Sequence, residues 1–220
     1  MGNIMNEYID HTNLLMGTTY LDIKKLCDEA IEYKFKSVCI HPYYVTYAKE
    51  ILCNTNIKIC TVIGFPLGMN KIEVKKYETF LAIEDGADEI DMVINVSALK
   101  NKDYEYVKTE IDYIKKTCKN KILKVIIETS LLNCEEIKIM TKICSELQVD
   151  YIKTSTGFGS RGASLEDIEI INKYKDNKLL IKASGGIKTY LDCKKYIDLK
   201  VNRIGTSNGV KIMEEQNEVN

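Results

Sequence analysis

Tryptophan is absent from the 220 residues, and there are only two prolines, two histidines and four phenylalanines. So little proline, beside twelve glycines, excludes a collagenous or proline-rich disordered chain. A charge surplus is missing too. The 31 Lys and Arg face 32 Asp and Glu for a net charge of −1, whereas a nucleic-acid binder would show a basic excess or stripe. No apolar run approaches the ~18 residues of a membrane span. The opening Met1-Gly2-Asn3-Ile4-Met5-Asn6 lacks the basic and apolar regions of a secretory signal. Gly2 does not start a myristoylation motif, because Asn6 stands where Ser or Thr is required. These absences predict a cytoplasmic protein with neither nucleic acid nor membrane as partner.

With His11 and His41 the only histidines and no C-x-x-C pair, zinc spacing is absent and no metal is expected. The eight cysteines (Cys27, Cys39, Cys53, Cys60, Cys118, Cys134, Cys144 and Cys193) mostly fall in apolar stretches and read as reduced, small core hydrophobes. Cys39 is the exception, near a strand end where a site could form. Asn95-Val96-Ser97 matches a glycosylation sequon but closes an apolar run and reads as a chance match.

What is present is a regular alternation. Short β-branched runs at 8–10, 37–41, 57–65, 89–95, 122–128, 150–154, 179–183 and 203–206 predict strands. Segments of helical period lie between them at 20–33, 45–52, 71–85, 104–118, 135–147, 165–174, 190–197 and 209–215. Thr19-x-x-Asp22, Ser164-x-x-Asp167 and Thr189-x-x-Asp192 mark helix starts. Strict alternation means right-handed crossovers and a parallel sheet. Eight units predict an α/β fold, a single-domain (β/α)8 TIM barrel over 1–220, with an open doubly wound sheet as the rival. The polar tail 214–220 is expected to fray.

Two strand ends match each other: Tyr151-Ile152-Lys153-Thr154-Ser155 and Leu180-Ile181-Lys182-Ala183-Ser184. Lys153 and Lys182 thus sit at the carboxyl ends of parallel strands, where α/β active sites are built. Lysine is a nucleophile only when neutral, and desolvation with a second cation nearby disfavours its charged form. Such a pair can attack a carbonyl and form a Schiff base. Asp91, on the apolar strand Glu89-Ile90-Asp91-Met92-Val93-Ile94, would be costly to bury without a partner and is the acid–base candidate opposite the two lysines. Asp10 and Lys124 are further polar residues on strands, and His11 and His41 read as structural hydrogen-bonders. Ser184-Gly185-Gly186-Ile187 and Gly205-Thr206-Ser207-Asn208-Gly209 open helices after the last two strands and predict a phosphate cradle, completed by Thr156, Gly157, Phe158 and Lys188. Gly157-Phe158-Gly159-Ser160-Arg161-Gly162 also fits the dinucleotide fingerprint, but the next strand ends in Lys182-Ala183-Ser184 rather than in the acidic residue a ribose needs.

These residues, with Lys124-Val125-Ile126-Ile127-Glu128-Thr129 and Arg203-Ile204-Gly205-Thr206-Ser207, resemble the deoxyribose-phosphate aldolase family over nearly the whole chain. The resemblance implies a class I aldolase, a lyase that cleaves 2-deoxy-D-ribose 5-phosphate reversibly to D-glyceraldehyde 3-phosphate and acetaldehyde in deoxynucleoside catabolism. It implies no cofactor beyond the covalent Schiff base on Lys153. Lys182 is then the neighbouring cation and proton relay, and Asp91 the proton shuttle. Asp10, Cys39, Lys124, Thr154 and Thr156 line the substrate pocket, while Gly157, Phe158, Gly185, Gly186, Ile187, Lys188, Gly205, Thr206 and Ser207 hold the phosphate. The family is often dimeric, so a homodimer is the implied assembly. Two positions depart from its pattern: Asn208 stands where a second Ser is frequent, and the tail has no tyrosine. From the residues alone, another sugar-phosphate class I aldolase, a transaldolase, or a non-catalytic sugar-phosphate-binding protein stays open.

Overall fold

Eight parallel strands, β1 (Ile9–Asn13), β2 (Ser37–Ile40), β3 (Lys58–Ile63), β4 (Glu89–Val93), β5 (Ile122–Ile126), β6 (Tyr151–Lys153), β7 (Leu180–Ser184) and β8 (Arg203–Thr206), pair in sequence order in a computed structural model that describes residues 5–219. The register Ile9↔Ile204, Asp10↔Gly205 and His11↔Thr206 joins β8 back to β1. The sheet is therefore a closed barrel, and the open doubly wound alternative falls. Helices α1 (Tyr20–Tyr33), α2 (Val45–Leu52), α3 (Ile72–Glu84), α4 (Val96–Lys100), α5 (Tyr104–Cys118), α6 (Cys134–Glu146), α7 (Leu165–Tyr174), α8 (Tyr190–Asp198) and α9 (Gly209–Val219) surround it.

Local chemistry explains these boundaries. Thr19 and Asp22 form a complete capping box, whereas Ser164 and Thr189 accept from the N–H of Asp167 and Asp192 without the reciprocal bond. The second complete box is Asn133 with Glu136, at the start of α6. Asn95 of the sequon caps α4 by accepting from the Ala98 N–H. That five-residue helix is too short to announce itself after an apolar strand. Helix α9 runs on to Val219 through the polar tail, whose last residue, 220, lies outside the described residues, and Glu215 accepts from the Tyr190 N–H at 2.7 Å. Cys53 and Cys134 are exposed rather than core; the other six cysteines are buried as free thiols.

The main core lies between barrel and helices, as the stripe Ile23, Leu26, Cys27 and Ala30 of α1 illustrates. Inside the barrel the usual aliphatic layers are replaced by charge. Alternation and register set Ser37, Glu89, Tyr151 and Arg203 in one layer and Asp10, Cys60, Lys124 and Lys182 above it. Cys39, Asp91, Lys153 and Gly205 follow, nearest the carboxyl ends. Four cations and three carboxylates thus share the interior, every one of them buried. No helix among the described residues is long and apolar enough to cross a membrane.

Candidate active site

Asp91 is the hub. Its Oδ2 accepts from Lys153 Nζ and from Lys182 Nζ, both at 2.7 Å, and its Oδ1 accepts from Lys124 Nζ at 2.7 Å and the Cys60 thiol at 3.0 Å. Burial would push this carboxyl up, but Lys124, Lys153 and Lys182 together hold it well below the carboxylate range. Lys153 and Lys182 share one oxygen, so their ammonium nitrogens are no further apart than twice that contact. Each strand places its residue here by register: Asp91 pairs with Lys124, Lys153 with Lys182, and Lys182 with Arg203.

The three lysines differ in their partners. Lys182 is also paired with Asp10 at 2.5 Å, and Lys124 with Glu89 at 2.7 Å. Burial works to discharge both, yet the surrounding carboxylates raise each above the ordinary lysine value, so both are fixed cations. Among the described residues Lys153 has only the shared Asp91, and it is the lysine of the three that reaches open space. Beneath them Arg203 binds Asp10, Glu89 (Nη1 3.1 Å, Nη2 2.8 Å) and Ser37, and lies over the Tyr151 ring. Burial would raise Asp10 too, but Arg203, Lys182 and Lys124 hold it low.

Gly205 makes the arrangement possible. A Cβ there would stand 3.1 Å from Lys182 Cε and 3.0 Å from Ser184 Cβ, so glycine leaves the lysine its path to Asp91. Cys39 and Cys60 are register partners on the opposite wall. Contact with the Cys60 sulfur, with Lys182 and Lys153 nearby, draws Cys39 down to about 7 against its burial, while burial and the same contact push Cys60 up. Cys39, Cys60 and Asp91 have donor atoms close enough to share an ion. Two of the three already bind an ammonium: Lys124 Nζ lies 3.1 Å from Cys60 Sγ and 2.7 Å from Asp91 Oδ1.

A cavity of about 490 Å³ opens above Lys153, of a size that suits a small sugar phosphate. Of the expected residues, Lys153, Thr156, Gly157, Phe158, Gly185, Gly186, Gly205 and Ser207 line it. Gly185 and Gly186 have φ of +83° and +79°, a turn that L side chains resist. Asp10, Cys39 and Lys124 lie wholly buried below the mouth, with Asp91 and Lys182. Thr154 is buried as well, accepting from the Ser184 N–H at 3.2 Å. Ile187 is buried outside the lining, Lys188 is exposed and outside it, and Thr206 donates its hydroxyl to the Ile187 carbonyl at 2.7 Å.

Several lining or supporting residues went unread in the sequence. Glu89, Arg203 and Ser37 complete the buried charge set; a charged residue on an apolar strand, the signal that singled out Asp91, applies equally to Glu89 and Arg203. Glu128, at φ +50°, accepts from both the N–H (3.0 Å) and the hydroxyl (2.6 Å) of Thr156 and so fixes the loop after Lys153. His11, hydrogen-bonded to Glu29 at 2.7 Å, lines the cavity with Lys25 and Asp22 of α1.

A dry lysine beside fixed cations, facing a glycine-edged cavity, is suited to carbonyl chemistry at an amine, and a parallel (β/α)8 barrel is its common frame. That combination defines the class: a barrel aldolase working through lysine. The family is settled by likeness to known proteins. The chain belongs to the DeoC/LacD family of aldolases, which matches residues 4–212. The deoxyribose-phosphate aldolase of Metamycoplasma arthritidis is 54% identical over 210 residues, covering 96% of this chain and 97% of that one. That of Metamycoplasma hominis is 56% identical over 198 residues, 90% and 91% of the two chains. Among solved structures, the tetrameric deoxyribose-phosphate aldolase of Aeropyrum pernix superposes with a TM-score of 0.91 at 30% identity, covering 98% of this chain and 92% of that one.

Proposed function

We infer that the chain is a class I deoxyribose-phosphate aldolase in which Lys153 is the nucleophile. The observation that carries this is the sharing of one Asp91 oxygen by Lys153 and Lys182, with only Lys153 open to the cavity. The interior holds four cations against three carboxylates, so loss of one lysine proton balances it. Lys153, with a single shared partner, is the lysine of the three held by the fewest ion pairs.

Neutral Lys153 adds to the C1 aldehyde of the open-chain sugar, forming a carbinolamine. Asp91 relays the proton that lets water depart and leaves a protonated imine. The C3 hydroxyl then gives up its proton to the relay that Asp91 serves, the C2–C3 bond breaks, and its electron pair moves into the C1–C2 enamine as D-glyceraldehyde 3-phosphate leaves. Protonation at C2 and addition of water release acetaldehyde and restore the amine. The covalent imine is the electron sink, so this sequence calls for no cofactor. Lys182 supplies fixed positive charge beside each imine and amine step. The N–H groups around Gly185, Gly186 and Ser207 receive the phosphate at the open end.

Lys153→Ala tests the assignment. Expected is loss of cleavage with the fold and some affinity for the sugar phosphate kept. Retained cleavage would remove Lys153 from the mechanism.

A further inference from the structure

One pair of buried charges lies outside this cluster. Lys75, in the first turn of α3, and Glu110, on α5, are both wholly inaccessible, and Lys75 Nζ donates to Glu110 Oε1 at 2.5 Å. Nothing in the aldol chemistry touches them. Each is held at a cost: burial pulls Lys75 down and pushes Glu110 up, and each partner offsets only part of the other's penalty. A buried pair of this kind is weak grounds for stability, so its other contacts indicate what it does.

Those contacts converge on the end of β4. Lys75 Nζ also donates to the Val93 carbonyl at 2.7 Å, and Glu110 Oε2 accepts from the Asn95 N–H at 2.9 Å. The pair thus grips the backbone on either side of Ile94, two to four residues beyond Asp91. The neighbouring strand end is caught as well. The stem of Lys75 packs against Gly64, where a Cβ would stand 2.7 Å from Cε, and Glu78 of the same helix accepts from the Gly64 N–H at 2.8 Å. The ends of β3 and β4 are therefore clamped from outside the barrel, while Asp91, inside it, must present one oxygen to two lysines and the other to a third.

We propose that Lys75 and Glu110 are positioning residues for Asp91: their ion pair fixes the carboxyl end of β4 so that Asp91 keeps its contacts with Lys153 and Lys182. This rests on the aldolase reading above. A variant that removes the charges but fills the space separates positioning from stability, because replacing a buried pair by apolar residues is often neutral or stabilising.

The experiment compares wild type, the double variant Lys75→Met with Glu110→Leu, and Glu110→Gln alone, in cleavage of 2-deoxyribose 5-phosphate, with thermal midpoints measured alongside. The expected result for the double variant is a midpoint near that of wild type, the gain from removing two buried charges being offset by the Val93 carbonyl and Asn95 N–H that lose their partners, with KM little changed and kcat lower by about ten- to a hundredfold, the scale for a displaced catalytic group. Glu110→Gln, which keeps an acceptor, restores part of kcat. A double variant with kcat within about threefold of wild type overturns the proposal, as does a loss of kcat that tracks a fallen midpoint. If the double variant fails to fold, Glu110→Gln decides: wild-type kcat at a lowered midpoint overturns the proposal, and reduced kcat at an unchanged midpoint supports it. Absence of turnover in the wild type would instead overturn the aldolase reading itself.

Discussion

Replacing Lys182 by Met removes one of the four interior cations and leaves three against three carboxylates. Nothing large collapses, because Arg203 still binds Asp10, and Lys124 and Lys153 still bind Asp91. What changes is the charge beside the Lys153 nitrogen: in the wild type the Lys182 ammonium opposes a second cation there. The two nitrogens each lie 2.7 Å from the same oxygen and so no further apart than twice that contact; two unit charges at ~5 Å in an effective dielectric of ~20 interact by about 3 kcal/mol, or about two pH units. The rising limb of the pH–rate profile is therefore expected to move up by about two units in Lys182→Met. Single-turnover cleavage of the sugar phosphate between pH 5 and 10 (an assay window of about five units) measures it. Lys182→Arg, which keeps the charge, is expected to leave the limb nearly in place. A limb that stays put in the Met variant would refute the charge-balance reasoning, whatever the fall in maximal rate.

Other outcomes follow from the same geometry. Gly205→Ala crowds the Lys182 stem at 3.1 Å, so kcat is expected to drop about tenfold, and an unchanged kcat would show that the stem has room to spare. Glu128→Ala frees the N–H and hydroxyl of Thr156; steady-state kinetics should show KM raised about tenfold, because two bonds to a charged group are lost, and a KM equal to wild type would contradict that role. Asp91 and Asp10 lie below their ordinary value of 3.8 in the folded chain, so their contribution to stability is complete above that value and disappears as pH falls through their folded pKa. Thermal midpoints are expected to owe no decline to these two groups between pH 8 and 5 (~3 units) and to fall steeply only below about 4. A variant such as Asp91→Asn with the same acid limb as wild type would contradict this.

Much of this was legible in the sequence, for identifiable reasons. Period-2 and period-3.6 patterns located all eight strands and the eight longer helices, and the match between the segments around Lys153 and Lys182 put both lysines at one end of one sheet. Asp91 stood out because a carboxylate in an apolar strand needs a partner. The sequence could not say which residue after a glycine turn faces the cavity, which is why Ile187, Lys188 and Thr206 were grouped with Gly185 and Ser207. Nor could it place Lys75, since a lysine in a helix rich in charged residues looks like part of a solvated face. Its burial depends on α5 packing across α3, and on a carboxylate 35 residues away along the chain. The pattern predicts a strand at 8–10, whereas β1 runs as Ile9–Asn13, because His-Thr-Asn has no apolar alternation to betray a strand paired on both sides.

The central claim is that Lys153 forms a Schiff base with the substrate carbonyl. It is tested most directly by incubating the protein with acetaldehyde, reducing with borohydride and mapping the modified peptide by mass spectrometry. The account predicts a reduced two-carbon adduct confined mainly to Lys153. No adduct there under conditions that trap a control aldolase, or an adduct on Lys182 or Lys124 instead, would contradict it.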